Sequence, residues 1–319
     1  KPDIHPEDWP YFFTALEKNN SLRKLKLRGM FGGSTMKLLC GILKQNETLT
    51  DLSMFLYAQD EEACKDIASL LALNRTLTSL RIERFGVDNP VLLSLGMPQC
   101  TITRLCLRRA GIGSDRMFLI YDLLLRNTLL SLDIGENYLG AMDQRDVPMK
   151  KHTQNAQLIC EALRRRFTPM EHLAVDGCFE ENGVLVLARA LQENIKLQSL
   201  DISDNVVDYR TPLALGAAML INKHLQRLAM RNAPMHAVDV IVFINGLLLN
   251  TTLHELDVRG NPGFLVSGSN SHLMTRLAAG LRKLQISVDN KQIMRQLSDP
   301  KVSPPSNPAV VSTKRLRIE

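Results

Sequence analysis

The sequence predicts an α/β solenoid, a curved horseshoe with a parallel β-sheet on its concave face and helices on its convex face. Three observations predict it. First, apolar residues at Leu22, Leu49, Leu77, Ile102, Leu129, Met170, Leu197, Leu225 and Leu253 are each followed by further apolar residues three and five positions later. Second, the intervals between these first positions are 27, 28, 25, 27, 41, 27, 28 and 28 residues. Third, the segments between them place apolar residues at helical spacing. A unit this short cannot bury its own apolar side, so successive units must shelter one another.

Residues 129–140 show the unit most clearly, reading L-x-x-L-x-I-x-x-N-x-L-G. Alternation along a strand sends positions +3 and +5 into the core and leaves +2, +4 and +6 on the concave face. At +8 stand Asn137, Asn205 and Asn261, with Cys178 in the sixth unit, suited to satisfy backbone groups where the strand turns away. Met30, Tyr57, Phe85, Ala110 and Ala233 hold that place elsewhere and predict irregular turns there. Helices are expected over 34–44, 60–73, 114–126, 155–165, 181–193, 212–221 and 237–249, with a turn or two over 89–95. Many are followed by asparagine: Asn46, Asn74, Asn127, Asn194, Asn222 and Asn250. Asparagine tolerates the left-handed conformation that stops a helix.

The pattern resembles the ribonuclease-inhibitor-like class of leucine-rich repeats, over roughly residues 22–284. That class also holds the sensor regions of NOD-like receptors, the Ran GTPase activators, the tropomodulins and bacterial secreted effectors. The resemblance implies the horseshoe and singles out no subfamily.

A stack exposes apolar core at both ends and needs caps. Residues 1–21 read as an N-terminal helical cap, with Trp9, Phe12, Phe13 and Leu16 on one helix at 6–19. The repeats then occupy 22–286, about nine units, with an insertion loop at 141–153 where the interval grows to 41. Residues 287–319 read as a cap remnant and a Pro-rich basic tail, following a capping helix at 271–284. A short helix is expected at 291–297.

Composition narrows the function classes. The chain has 319 residues, 45% hydrophobic and 23% charged, with net charge +6. No apolar run approaches the ~20 residues of a membrane helix, and no signal peptide is evident, so an intracellular setting is expected, cytoplasmic or nuclear. For a secreted bacterial effector this would be the host cell interior. Six cysteines form no C-x-x-C pair, which points to a reducing compartment and no metal. No phosphate-binding glycine loop, H-E-x-x-H or G-x-S-x-G is present. Cys106 and His172 both fall on the inner sheet, too far apart to form a nucleophilic pair. Asn19, Asn46, Asn74 and Asn250 match the glycosylation sequon, which the repeat consensus itself explains. No cofactor is expected, and the chain is expected to be monomeric.

What remains is the inner surface. The first four units present Lys24, Lys26, Arg28, Phe55, Arg81, Arg104 and Arg108 there, against Asp51 and Glu83. The next three present Asp133, His172, Asp176 and Asp201, with no Lys or Arg. The last two add Arg227 and Arg231 beside Glu255, Asp257 and Arg259. Two readings follow: a charged surface that steers a partner, or neighbours that neutralise one another across a solvated sheet. The sequence therefore predicts a non-enzymatic scaffold gripping a protein partner on its concave face. An alternative is the recognition domain of a larger receptor or secreted bacterial effector. A further alternative is GTPase activation of the Ran-activator type, with Arg84 or Arg109 as an arginine finger, which the basic tail argues against. The interspersed acids argue against nucleic acid.

Overall fold

The computed structural model describes residues 8–29, 33–56, 60–137, 139, 150–165, 168–179, 181–264 and 285–287. The chain begins α1 (Trp9–Glu17), β1 (Lys24–Arg28), α2 (Gly33–Gln45), β2 (Asp51–Phe55), α3 (Glu61–Leu73) and β3 (Ser79–Glu83). It continues α4 (Asn89–Leu95), β4 (Arg104–Cys106), α5 (Met117–Leu125), β5 (Ser131–Asp133), α6 (Lys150–Arg164) and β6 (His172–Ala174). Then come α7 (Glu181–Ala190), β7 (Ser199–Asp201), α8 (Thr211–Ile221), β8 (Arg227–Ala229), α9 (Ala237–Leu247), β9 (Glu255–Asp257) and β10 (Gln285–Ser287).

The strands form one sheet in chain order, each parallel to the next. Their +3 residues align as a single apolar ladder through Leu25, Leu52, Leu80, Leu105, Leu132, Leu173, Leu200, Leu228, Leu256 and Ile286. Leu80, Leu132 and Leu200 are at most 2% exposed. Burying each such side chain contributes about 1.5–3 kcal/mol. The helices close the other side. In α3, Asp60 accepts from the Glu62 and Ala63 N–H groups, and Cys64, Ile67 and Leu71 face inward. α8 and α9 touch backbone to backbone: a Cβ on Gly246 would overlap the Gly216 carbonyl. At the N-terminal end α1 packs on α2, with Phe13 fully buried and Trp9 stacked on it at 5.4 Å.

Several expectations are corrected. A tenth strand, β10, extends the sheet. Its register puts Lys283 at the first position, where the other units carry an apolar residue, so the repeat pattern does not reveal it. α6 starts at Lys150, so the end of the expected insertion is helix. A 3-10 turn, Ser114–Arg116, precedes α5. The expected segments 1–7, 141–149 and 265–284 and the tail 288–319 lie outside the described residues.

Most of the asparagines after the helices do different work from that expected. Asn74 and Asn222 are extended, with φ/ψ of −71°/138° and −69°/126°; Asn127 is left-handed, at φ 56°. Asn127 thus takes the expected conformation, whereas the amides of Asn74, Asn194, Asn222 and Asn250 tie repeats together. Asn74 Nδ2 donates to the carbonyls of Leu43 (2.8 Å) and Asn46 (3.1 Å) in the preceding unit. Its Oδ1 accepts from the N–H groups of Thr76 and Leu77. Asn222 and Asn250 make the same four bonds one and two units from Asn194. In the fifth unit Arg126 occupies this slot, and its guanidinium reaches the carbonyls of Leu95 and Cys100. That displaces Asn127 by one position.

From the third unit on, the turns beyond the strands are more regular than expected; Met30 and Tyr57, in the first two, lie outside the described residues. The +7 residue is left-handed in seven successive units: Arg84, Arg109, Glu136, Gly177, Asp204, Asn232 and Gly260, with φ from 49° to 74°. Phe85, Ala110 and Ala233 thus follow the same bend as Asn137. The +7 N–H donates to the +6 carbonyl of the next unit, as in Arg84 to Arg108 and Glu136 to Asp176. A left-handed non-glycine residue costs about 1–2 kcal/mol, offset here by that shared bond and by the buried +8 side chain. Asn137 shows the latter in full: Nδ2 donates to Leu107 and Ile134, and Oδ1 accepts from Ala110 and Ile112.

Candidate functional site: the sheet face

Side chains at +2, +4 and +6 form three rows across the sheet. The strands bear out the alternation, with exposed Lys24, Lys26 and Arg28 bracketing buried Leu25 and Leu27. What the sequence alone left open is which of these charges already have partners.

The middle of the sheet is self-neutralised. Arg108 Nη1 donates to Asp133 Oδ1 (3.1 Å) and Asp176 Oδ1 (2.8 Å), and Nη2 donates to Glu136 Oε1 (3.0 Å) and Asp176 Oδ2. Arg109 holds the other oxygen of Glu136. Arg108 and Asp176 stand two strands apart in the +6 row. Between them is Gly135, where a Cβ would lie 2.5 Å from Arg108 Nη1 and overlap Asp176 Oδ1. The missing side chain lets the guanidinium pass over Gly135 to reach Asp176. Asp176 is thereby 2% exposed and presents no accessible carboxylate. Burial pushes the Glu136 carboxyl up, but bonds from Arg108 and Arg109 outweigh it and hold it below its usual range. Glu136 and Gly135 join this cluster although the sequence did not mark them as site residues, and Arg109, weighed there only as an arginine finger, joins it as a partner of Glu136.

The C-terminal part of the face is also largely paired. Arg231 reaches Asp201 (3.3 Å), Asp257 (3.7 Å) and Ser203 Oγ (3.2 Å), while Arg259 pairs with Asp257 at 2.6 Å. Small Ala229 between Asp201 and Asp257 leaves a hollow of about 330 Å³. Burial raises the Asp201 carboxyl above its usual range. Arg227 lies 3.4 Å from His172 Nδ1; burial and that neighbour lower the imidazole's pKa.

The N-terminal end differs. Arg81 is paired with Glu83, and Arg104 approaches Asp51 at 3.7 Å. Among the described residues, Lys24 and Lys26 have no carboxylate partner within an ion-pair distance. Lys26 Nζ sits 4.7 Å above the Phe55 ring. Phe55 is therefore half-buried beneath a lysine and less open than the sequence suggested.

Among the described residues no group of three or more His, Cys, Asp or Glu side chains could hold a metal. Cys106 is 7% exposed, and burial followed by Asp133 pushes its thiol up to about 12, unsuited to nucleophilic attack. The Asn74 amide is 5% exposed and fully engaged, so a glycan there would cost the bonds just described. No described helix is long and apolar enough to cross a membrane.

Comparison with known proteins adds three relatives. The chain is 26% identical over 294 residues to "NACHT, LRR and PYD domains-containing protein 14" of Mus musculus. It is 28% identical over 207 residues to "NACHT, LRR and PYD domains-containing protein 2" of Homo sapiens, and 27% over 195 residues to the "Ribonuclease inhibitor" of Sus scrofa. These matches join the in-register ladder and the asparagine turns already described. The chain is a leucine-rich repeat protein. Its subfamily is unidentified. The mouse match covers 88% of this leucine-rich repeat chain and 28% of that protein; the human one covers 62% and 18%, the porcine one 59% and 40%. No family model matches.

Proposed function

We propose that this leucine-rich repeat chain is a protein-interaction module that docks an acidic segment of a partner on its sheet face, at the β1–β4 end. One observation carries the reading. From β4 onward the face is largely neutralised by its own arginine–carboxylate bridges, Arg227 lying instead beside His172, whereas Lys24 and Lys26 lack carboxylate partners among the described residues. An unpaired cation row beside an aromatic ring attracts carboxylates without first breaking an internal pair. The ring under Lys26 also gives a partner an apolar foothold. The repeat relatives support interaction with proteins in general.

Reversing charge in K24E/K26E/R104E should weaken capture of the partner from native lysate, and more so at low salt. An interactome unchanged by the triple variant would count against it. Nucleic acid is disfavoured because Arg81 and Arg108 are already paired, which leaves few cations for a phosphate backbone; a steep dependence on salt would reverse that judgement. Arg109, one of the two arginines weighed for GTPase activation, is engaged with Glu136.

A second reading keeps the same surface within a longer polypeptide. The names of the mouse and human relatives combine leucine-rich repeats with NACHT and PYD domains, and the aligned part is a fraction of their length. The full open reading frame tests this: a stop directly after Glu319 and a start codon directly before Lys1 would refute it.

A further inference from the structure

The repeat departs from its own rule along one edge. In early units the positions flanking the first leucine are threonines whose hydroxyls turn inward. Thr50 and Thr78 donate to Arg23 and Thr50 carbonyls, and Thr76 and Thr101 donate to Asn46 and Leu77 carbonyls. These residues close the frame and offer little to a ligand. In the later units the same slots hold Lys196, His224 and Thr252 before the leucine, and Gln198, Gln226 and His254 after it, with Lys223 and Thr251 one position earlier still. They line a hollow of about 550 Å³ at the entry to β6–β9. That falls within the usual size of small-ligand sites.

From these positions we infer that this edge binds a multiply phosphorylated ligand. The lysines carry positive charge with no carboxylate ion pair among the described residues; Lys223 Nζ donates to the Leu220 carbonyl at 3.2 Å. The lining contributes one carboxylate, Glu171, which sits at 4.0 Å from His172 Nε2. Ammonium, amide and hydroxyl donors suit the many acceptor oxygens of phosphate, and lysine binds phosphate as a point charge. No arginine lines the hollow, so an anion there would be met by lysine point charges and neutral donors and not by a planar fork.

The donors are also held in place. Asn194 Oδ1 accepts from the Lys196 N–H, and Asn222 Oδ1 from the His224 N–H, at 3.1 and 2.9 Å. Each asparagine is itself bonded to the unit before it. The side chains therefore project from a rigid ladder stepping about 4.8 Å per strand, and binding costs little backbone ordering. The site lies off the rows proposed for a protein partner, so the two can fail separately.

Calorimetric titration of the whole chain with inorganic tripolyphosphate, near physiological salt, tests the assignment. Saturable binding at one ligand per chain is expected. K196E/K223E should weaken it at least about tenfold, while K24E/K26E should leave it within about twofold. Both pairs are exposed, and circular dichroism checks that the variants remain folded. No saturable binding, or equal weakening by both variants, would overturn the proposal. So would an oligo-aspartate peptide that binds this edge as tightly as tripolyphosphate, since the edge would then read charge alone.

Discussion

Replacing Gly135 with alanine adds one methyl group at the place where Arg108 crosses to Asp176. The new Cβ would lie 2.5 Å from Arg108 Nη1 and overlap Asp176 Oδ1. One of the two must move, and the Asp176 carboxylate, 3% exposed, loses its closest cation. Unpairing a buried charge costs about 3–5 kcal/mol. The Arg108 side chain is 23% exposed, so water screens the loss and about 2–3 kcal/mol is a fairer figure. Gly135 is not in the left-handed region, so alanine returns about 0.4–1 kcal/mol by restricting the unfolded chain. The net expectation is a destabilisation of about 1–3 kcal/mol. Urea titration followed by circular dichroism would read it. Hydrogen exchange at the Arg109 and Glu136 amides would localise it, since a repeat array need not unfold in two states. In R108M/D176L, where both charges are gone, the same alanine should cost less than about 0.5 kcal/mol, because the pair it displaces is absent. Wild-type stability for Gly135→Ala, or an undiminished penalty in the double variant, would refute the reasoning.

Further expectations concern the ladders and the titrating groups. Asn222→Ala leaves two carbonyls of the preceding unit and two N–H groups of its own without partners in a site 3% exposed. A loss of about 2–4 kcal/mol is expected in the same urea experiment, and Asn222→Ala at wild-type stability would show that water replaces the amide. Glu136 and Asp257 are both held below their ordinary pKa, the bonds from arginine outweighing burial. Such groups stabilise the fold above the unfolded carboxylate pKa and lose that contribution as pH falls through the lower folded value. The melting temperature of the wild type should therefore drop more steeply toward acid than that of R108M/R259M; parallel curves would contradict the assignment. Burial raises the thiols of Cys40, Cys106 and Cys160 to about 12. Native protein near pH 8 should show almost no thiol reaction with a disulfide reagent, whereas urea-unfolded protein should titrate six. Fast reaction of the native chain would overturn the buried placement of these cysteines.

The parts legible in the sequence were those that each unit states for itself. Leu80, Leu132 and Leu200 recur at one stride, so their ladder and the face alternation could be counted directly. Most helix bounds followed from the same local signal, including the short α4. Features that join units were harder to read. Arg108, Gly135 and Asp176 share the +6 row, but the bridge depends on a glycine's missing side chain and skips a strand. The asparagines were visible and their role was not, because a cap and an inter-repeat tie use the same residue. Lys283 concealed β10 because a single polar residue at the first position broke the pattern being counted.

The claim that the β1–β4 sheet face receives a partner is tested most directly by site-specific photocrosslinking. A photoreactive residue would replace Ser53, beside Lys26 on that face, or Lys65, on the outside of α3 with its side chain 61% exposed. In native lysate Ser53 should yield a discrete adduct, lost in K24E/K26E/R104E, and Lys65 should not. An adduct formed from Lys65 alone, or a Ser53 adduct indifferent to the charge reversal, would contradict the account.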